Sequence, residues 1–375
     1  MIYLDYSATT PVNDEVLDSF VKTTKQYIGN PNSLHSLGVD VNHLINSATE
    51  QIKKVLNLTN VDVIYTSGAS ESNNLALKGV VSKYSNRGKH IITTKLEHSS
   101  INSPIEYLKN NGFEISYVKL DKNGLIDVDD LKSIIRNDTI LVSINAVNSE
   151  VGIRQPIEEI GEILKDYPKC YFHVDMTQAI GKVKIDLKNV DMFSFSAHKF
   201  YGIKGIGALI KKDKIIIEPI IHGGKSTTNY RSGTPSVGLI VSMAKAIRLA
   251  YTSIDDNYKY IEKLNKELVD YFKKYDKVKI NSNQYSIPHI LNISILGVKP
   301  ETFLHALERD NIYISTKSAC SKNDSISESV YSVTNDKECS MHSIRISLSY
   351  LTTNDDIEKF KEVFDKCYKE LTCLR

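Results

Sequence analysis

Short apolar runs alternate with helical patterns along most of the first 210 residues. Seven runs are predicted to be strands: residues 63–66, 90–94, 115–118, 140–145, 170–174, 192–196 and 207–210. Several are apolar at consecutive positions, which is typical of strands buried on both faces of a parallel sheet. Helical patterns lie between them at residues 71–84, 99–110 and 157–166. The alternation predicts an α/β fold, with a mostly parallel sheet in a large domain and helices on both sheet faces.

The pattern changes after about residue 250. Residues 236–275 predict one long helical stretch, followed by strands near 289–295 and 343–347 and helices near 300–309 and 354–371. This order is more typical of a smaller α+β domain. We expect a large domain of residues 13–255 and a small domain of residues 1–12 and 256–375, with the first dozen residues packed against the latter.

The composition limits the classes of function. The 375 residues carry a net charge of only +2, so the overall charge gives no argument for direct binding of nucleic acid. The chain has an odd number of cysteines and no CxxC pair, which favours free thiols in a reducing compartment: Cys170, Cys320, Cys339, Cys367 and Cys373. Its first residues resemble no signal peptide, and no run approaches the roughly 18 apolar residues of a membrane span. We expect a cytoplasmic protein without membrane contact.

The most informative polar residues follow predicted strands, where open α/β sheets bind ligands. The turn at residues 66–71 leads from a strand into a helix, and the amides at such a helix start can bind phosphate. An ordinary turn capped by serine explains the same residues. Asp175 closes an apolar strand, where it could pair with a cation such as a protonated pyridine nitrogen or cap a helix.

Lys199 follows a strand between Phe195 and Phe200, and a partly buried lysine is costly unless its charge is removed. A Schiff base with an aldehyde cofactor removes that charge, whereas the alternative is a surface lysine in a charged loop. His98 could stack on a flat ring and exchange protons near neutral pH. Cys320 precedes a polar stretch, which suits a reactive thiol better than a packed one.

Ten motifs occur in order along the chain. They are LDYSATTP at 4–11, GNPNSLH at 29–35, TSGASESNNLALKG at 66–79, EHSS at 97–100, HVDMTQAIGK at 173–182, FSAHKFYGIKGIGAL at 195–209, HGG at 222–224, RSGTP at 231–235, SAC at 318–320 and SIRIS at 343–347. Together they resemble the NifS/IscS-type cysteine desulfurases, which belong to the class V branch of the fold-type I enzymes that use pyridoxal 5'-phosphate (PLP). The resemblance covers essentially the whole chain.

The resemblance implies a role for each matching residue. Lys199 is expected to carry the cofactor, Asp175 to pair with the pyridine nitrogen, and His98 to stack on the ring and move protons. Phosphate contacts are expected from Ala69, Ser70, Ser196, His198 and, across a homodimer interface, Thr234. Other cofactor contacts are expected from Gln178, to the phenolic oxygen, and Ser149. Substrate binding is expected from Arg345, which would grip the carboxylate, and from Asn148 and Asn30. No metal ligand is assigned.

The same resemblance implies the reaction. L-cysteine is expected to give L-alanine and a persulfide on Cys320, whose sulfur passes to an acceptor protein. Iron–sulfur cluster assembly, tRNA thiolation and thiamine synthesis all remain possible destinations. The chain departs from the family pattern at Ser149, Met176, residues 225–227 and Lys317. These departures affect the expected acceptor and rate more than the reaction type.

Other functions fit parts of the sequence. Selenocysteine is an alternative substrate, and transamination is a further class V reaction that a reactive Cys320 argues against. A PLP-binding scaffold with little activity is a second alternative, which the retained Lys199, Asp175 and Arg345 disfavour. A nucleotide-binding dehydrogenase is excluded because no GxGxxG motif follows the first strand.

Overall fold

The computed structural model describes residues 1–316 and 326–372, so Cys320, Lys317 and Cys373 lie outside the described residues. The strands are β1 Ile2–Tyr3, β2 Val61–Thr66, β3 His90–Thr93, β4 Glu114–Tyr117, β5 Thr139–Asn145, β6 Tyr171–Asp175, β7 Met192–Ser196, β8 Gly207–Lys212, β9 Val278–Ile280, β10 Ile290–Ile295, β11 Ile312–Tyr313 and β12 Ser343–Ser347.

The helices surround these strands. They are α1 Asp14–Gln26, α2 Ser36–Val55, α3 Ala69–Tyr84, α4 Ser99–Asn110, α5 Val128–Ile134, α6 Ile157–Leu164, α7 Val237–Thr252, α8 Ile254–Phe272, α9 Pro300–Glu308, α10 Glu328–Thr334, α11 Lys337–Met341 and α12 Asn354–Thr372. A 3₁₀ turn, Ala197–Lys199, follows β7 directly.

A seven-stranded sheet forms the centre of the fold, in the order β2-β8-β7-β6-β5-β3-β4. All seven strands predicted from the apolar runs are present in it. Strand β8 is antiparallel to both of its neighbours, and the remaining pairs are parallel. The predicted α/β fold with a mostly parallel sheet is therefore confirmed.

The sheet topology brings the ends of β5, β6 and β7 to one edge. Asp175 is the last residue of β6, and it pairs with Asn145 of β5 on one side and Ser194 of β7 on the other. Side chains that follow these strands therefore share the carboxyl edge of the sheet, where ligands bind in open α/β folds.

The prediction of one continuous helix over residues 236–275 is wrong. It is divided at Ser253 into α7 and α8, whose axes differ by 65°. The two helices pack into different apolar cores, since Met243 and Ile247 of α7 join the core of the central sheet while Leu264 and Leu268 of α8 join a second core. A straight helix of this length could not supply both cores, and the apolar periodicity does not reveal the change of partner.

The second core lies around a three-stranded antiparallel sheet, β12-β10-β9. The N-terminal residues reach it, because β1 pairs in parallel with β11 and the fully buried Leu4 packs among its side chains. This arrangement favours the predicted division into a large domain of residues 13–255 and a small domain of residues 1–12 and 256–375. Ile287 and Ile290 instead pack with the first core, so the exact boundary stays a prediction.

Among residues 1–316 and 326–372, no single helix is long and apolar enough to span a membrane. Within the same described residues, the bent pair of α7 and α8 reaches that length and apolarity when the two helices are taken together.

Candidate active site

A cavity of about 340 Å³ opens at the carboxyl edge of the central sheet. It is bounded by the ends of β6 and β7, the start of α3, the segment before α4, the N-terminal residues 5–8 and strand β12. Many residues singled out in the sequence line it: Ala69, Ser70, His98, Ser149, Asp175, Gln178, Ser196, His198, Lys199 and Arg345. Residues spread over 277 sequence positions thus face one space.

Three other predicted site residues, Asn30, Asn148 and Thr234, do not line this cavity. Asn30 and Thr234 are exposed on the surface of the single chain. Asn148 is buried, and its amide donates to Leu96 O and Ser329 Oγ while its Oδ1 accepts from Glu150 N and Val151 N. Its side chain therefore has its hydrogen-bonding capacity largely occupied within the protein. Cys320 lies outside the described residues.

Lys199 is held at the floor of the cavity by the 3₁₀ turn after β7. Its Nζ donates to Ser7 O at 2.6 Å and to Ala8 O at 2.9 Å. Desolvation, followed by the nearby positive charge of Arg345, lowers the pKa of Lys199 to about 8. A larger share of the amine is therefore neutral and nucleophilic near pH 7 than for an ordinary lysine.

Asp175 is a buried carboxylate fixed from two sides. Asn73 of α3 donates from Nδ2 to Asp175 Oδ2 at 2.8 Å, and Thr177 donates to Oδ1 through both its backbone N–H, at 2.9 Å, and its hydroxyl. These donors fix the orientation of the carboxyl group at the sheet edge. The helix that the capping alternative requires is absent, because residues 176–182 form turns.

The turn between β2 and α3 packs closely on β7 and β8. Gly68 has φ +156°, and a Cβ there would lie 3.1 Å from Ser196 Oγ, so a side chain would be strained at this position. Ala69 N donates to Ser196 Oγ at 2.6 Å. The N-terminus of the 16-residue helix α3 therefore points at the cavity, beside Ser70 and His198, and attracts an anion.

His98 caps helix α4 at the rim of the cavity. Its Nδ1 accepts from Ser100 N at 3.1 Å, which assigns the proton of the neutral ring to Nε2. The ring is exposed to the open cavity, yet enough protein surrounds it that desolvation lowers its pKa. A neutral imidazole therefore faces the cavity at physiological pH.

Arg345 reaches the cavity from β12 and is only 4% exposed. Its Nη2 donates to Asp5 Oδ1 at 2.8 Å, and its Nη1 donates to Ser149 O at 2.9 Å. Its buried Nε has no hydrogen-bond partner among the described residues. The guanidinium is thus oriented by the protein and keeps donor capacity for an anionic ligand.

Glu97, next to His98, is a buried carboxyl group that the sequence motif includes without a role. Its Oε1 accepts from Asn145 N at 2.8 Å and Thr94 Oγ1 at 2.9 Å, while its Oε2 has no partner among the described residues. Desolvation, together with the negative charge of Asp175, raises the pKa of Glu97 to about 8. The group is therefore mostly protonated at neutral pH.

Gln178 connects the cavity to a buried lysine. Its Nε2 donates to Ser7 O at 2.9 Å, and its Oε1 accepts from Lys182 Nζ at 2.6 Å. Because Lys182 Nζ donates and Ser7 O accepts, these two contacts assign the orientation of the Gln178 amide. The amide nitrogen consequently faces the cavity side.

Sequence reasoning missed several of these supporting residues. Thr177 has a local signal, because a hydroxyl two positions after an aspartate is a common turn pattern. Asp5 and Asn73 have no such signal, since their partners are distant in sequence, and the contact of Glu97 with Asn145 is equally distant.

Comparisons with known proteins agree with this arrangement. The model of the aminotransferase class-V family matches residues 2–360. The chain is 41% identical to cysteine desulfurase IscS of Dictyoglomus turgidum, covering 100% of this chain and 96% of the relative. It is 38% identical to cysteine desulfurase IscS of Clostridium botulinum, covering 98% and 94%.

Solved structures give the same result. A NifS-like protein has a TM-score of 0.92 at 34% identity, with 100% of both chains covered. A NifS-like protein from Rickettsia africae has a TM-score of 0.88 at 33% identity, covering 98% of this chain and 99% of the other. The chain therefore belongs to the aminotransferase class-V family.

Proposed function

We propose that the protein is a PLP-dependent cysteine desulfurase, which converts L-cysteine to L-alanine and passes the sulfur through Cys320 to an acceptor protein. The observation that carries the proposal is the single cavity shared by Lys199, Asp175, His98 and Arg345. The named relatives in the family support the reaction.

The residues around the cavity fit PLP. An anionic phosphate suits the start of α3, where Ala69, Ser70, Ser196 and His198 meet. Asp175 supplies the negative charge that a protonated pyridine nitrogen needs, and Gln178 presents an N–H donor suited to a phenolic oxygen. When bound, PLP supplies an aldehyde that joins to an amine and a ring that withdraws electrons from the substrate Cα.

Lys199 is the group proposed to hold the cofactor. Its lowered pKa makes the neutral amine available, and its two backbone acceptors, Ser7 O and Ala8 O, fix the position of Nζ. When its amine is free, Lys199 would also be placed to move a proton at the substrate Cα.

His98 and Ser149 are proposed to contact the cofactor from the cavity wall. His98 presents a neutral ring whose Nε2 carries the proton, which suits stacking and proton exchange. Ser149 lines the cavity where the family pattern has asparagine, and its carbonyl accepts from Arg345. Its shorter side chain leaves more room at this position.

Arg345 is proposed to bind the substrate carboxylate. The guanidinium has a free Nε and is held by Asp5 and Ser149, so it is oriented before substrate arrives. Asn148 and Asn30 stay weaker candidates, because Asn148 is bonded within the protein and Asn30 is exposed in the single chain.

Sulfur transfer is assigned to Cys320. Ser315, which precedes this segment in the sequence, lines the cavity and supports the assignment. Attack of the Cys320 thiolate on the substrate sulfur forms an S–S bond and breaks the C–S bond. The electron pair stays with the substrate carbon, which then takes a proton to give the alanine methyl group.

A homodimer is proposed to complete the site. Large apolar side chains are exposed along residues 17–39: Leu17, Val21, Ile28, Leu34, Leu37 and Val39. Asn32 Nδ2 donates to Lys225 O at 3.0 Å, which joins this apolar surface to the loop that carries Thr234. A second copy packed here would cover the apolar side chains and bring Thr234 and Asn30 to the neighbouring cavity. A monomeric mass by light scattering, with full PLP content and activity, would contradict the dimer.

The decisive experiment is incubation of the purified protein with cysteine and a reductant. Alanine and sulfide should form in equal amounts, and mass spectrometry should find a persulfide on Cys320 before reductant is added. Cys320→Ser should abolish the persulfide while the visible absorbance of bound PLP remains. Cys339→Ser is the matched control, because Cys339 is buried and should leave the persulfide intact. Pyruvate in place of alanine, or persulfide on another cysteine, would overturn the assignment.

The acceptor and the substrate element are separate questions. We propose an iron–sulfur scaffold protein or a tRNA-thiolation enzyme as acceptor, and the IscS name of the relatives favours the former. Selenocysteine lyase activity is the alternative reaction. Parallel kcat/KM measurements with cysteine and selenocysteine would separate the two.

A further inference from the structure

A second cavity, of about 290 Å³, adjoins the candidate active site and shares Lys199 with it. Its lining includes residues of both apolar cores, such as Ala246 of α7 from the first and Ile261 of α8 from the second. Lys182 and His289, which lies just before β10, also line it. The cavity therefore lies where the two cores meet.

The ionisable nitrogen groups around this cavity belong to two lysines and one histidine. Lys182 and Lys199 line it together with His289, and none of the described residues in its wall is an aspartate or a glutamate. The other titratable groups that face it are the phenols of Tyr6, Tyr201 and Tyr350. The described wall therefore holds no carboxylate that could balance a lysine ammonium group.

Lys182 is buried, with 8% of its surface exposed, and Gln178 Oε1 is its hydrogen-bond acceptor. An ammonium group has three N–H donors, so one neutral acceptor leaves most of its capacity unused. Desolvation, followed by the nearby charge of Lys199, lowers the pKa of Lys182 well below its ordinary value. A buried ammonium normally requires a negative partner, because its desolvation costs several kcal/mol.

His289 also has a hydrogen-bonding atom without a partner among the described residues. Its side chain is 6% exposed, and its buried Nδ1 has no hydrogen-bond partner among the described residues. Its ring lies against Tyr258, with the centroids 5.9 Å apart, and desolvation lowers its pKa to about 3. The imidazole is therefore neutral and carries one N–H donor.

We propose that this second cavity is a binding site for a small monovalent inorganic anion, held by the Lys182 ammonium and by a His289 N–H. One formal charge, that of Lys182, faces no carboxylate in the described cavity wall, while Lys199 is the amine proposed to hold the cofactor. One negative charge balances it, which favours a halide-like ion over a divalent one. The site is distinct from the proposed phosphate position at the start of α3.

The anion has a consequence for the neighbouring cavity. With its charge balanced, Lys182 remains an ammonium group and keeps Gln178 Oε1 turned toward itself. The Gln178 N–H then stays directed at the candidate active site. A bound anion is thus connected to that site through two hydrogen bonds.

The first test is crystallographic. Crystals of the full-length protein with bound PLP are soaked in sodium bromide, and anomalous diffraction is measured at the bromine edge. We expect a bromide peak in hydrogen-bonding contact with Lys182 Nζ and facing the His289 ring. The peak should vanish in Lys182→Met and persist in Lys184→Met. Lys184 is a suitable control because it is an exposed lysine paired with Asp255, so both variants lose one positive charge.

The second test is in solution and uses chloride. The wild-type protein should broaden the ³⁵Cl NMR signal, and this broadening should saturate as the chloride concentration rises. The Lys184→Met variant should give the same broadening. Because a charge-assisted hydrogen bond is lost, the dissociation constant of this component should rise about tenfold or more in Lys182→Met. His289→Leu should weaken it as well, which keeps the test available if the lysine variant folds poorly.

Two results would overturn the site. One is a wild-type crystal in which bromide occupies other positions but not this cavity. The other is equal chloride affinity in the wild type, Lys182→Met and His289→Leu, which would mean that Lys182 is buried as a neutral amine. Neither measurement uses cysteine turnover, so its outcome is independent of the proposed desulfurase activity.

Discussion

Asp5 and Arg345 form an ion pair, with 2.8 Å between Asp5 Oδ1 and Arg345 Nη2, although they lie 340 residues apart. The N-terminal segment reaches Arg345 because β1 pairs with β11 and Asp5 forms a bridge to Ser347 of β12. The orientation of the proposed carboxylate-binding group is therefore set by the first residues of the chain.

Asp5→Asn should raise the KM for cysteine about three- to tenfold while the PLP content stays unchanged. The substitution removes a charge-assisted hydrogen bond that orients Arg345, and the remaining hydrogen bond is weaker. Steady-state kinetics and the visible absorbance of the bound cofactor would test this. Asp14→Asn, which changes an exposed carboxylate on α1, serves as the control. An unchanged KM in Asp5→Asn would show that Arg345 keeps its orientation without the pair.

Arg345→Ala should raise the KM for cysteine strongly, by about 10- to 100-fold, with PLP still bound. The estimate follows from the roughly 1.5–3 kcal/mol of a hydrogen bond between charged groups. Arg345→Lys should recover only part of the affinity, because an ammonium group lacks the planar fork. Equal KM values in all three proteins would remove Arg345 from the substrate site.

Attachment of PLP to the cofactor-free protein should accelerate as the pH rises through about 8. The neutral amine is the nucleophile, and the pKa of Lys199 is lowered to about 8, so the reactive fraction grows as the pH approaches and passes that value. Stopped-flow absorbance from pH 6.5 to 9.5 measures the rate. Borohydride reduction followed by peptide mapping should place the cofactor on Lys199. A rate that keeps rising toward pH 10.4, the ordinary value for lysine, would contradict the lowered pKa.

Glu97→Gln should change how stability depends on pH in the cofactor-free protein. The folded-state pKa of Glu97 is raised to about 8, above its unfolded value, so between these values the folded state binds more protons. The wild type should therefore lose stability as the pH rises from about 5 to 8. The variant has no such ionisation. Over the same pH interval, its free energy of unfolding should therefore rise by about 1–3 kcal/mol relative to that of the wild type.

Urea unfolding at pH 5 and pH 8 measures both proteins. Glu106→Gln is a control for the loss of one carboxyl group, because Glu106 is an exposed residue of α4. Parallel stability changes in Glu97→Gln and the wild type would show that Glu97 is ionised in the folded protein.

The central sheet and the positions of Lys199, Asp175 and His98 could be predicted from the sequence. The reason is local, because buried parallel strands are apolar at consecutive positions and their carboxyl ends meet at one sheet edge. Ordered motifs then supplied the expected role of each residue, and the structure brings these side chains to one cavity.

Only the tertiary structure decided the contacts between distant segments. The packing of the elements creates the ion pair of Asp5 with Arg345 and the hydrogen bond that Asn73 donates to Asp175. It also places Lys199 in the walls of two cavities. The break at Ser253 is of the same kind, since α7 and α8 keep one helical periodicity while entering different cores. Sequence periodicity records which face of an element is buried, whereas the partner of that face is fixed by the packing of the whole chain.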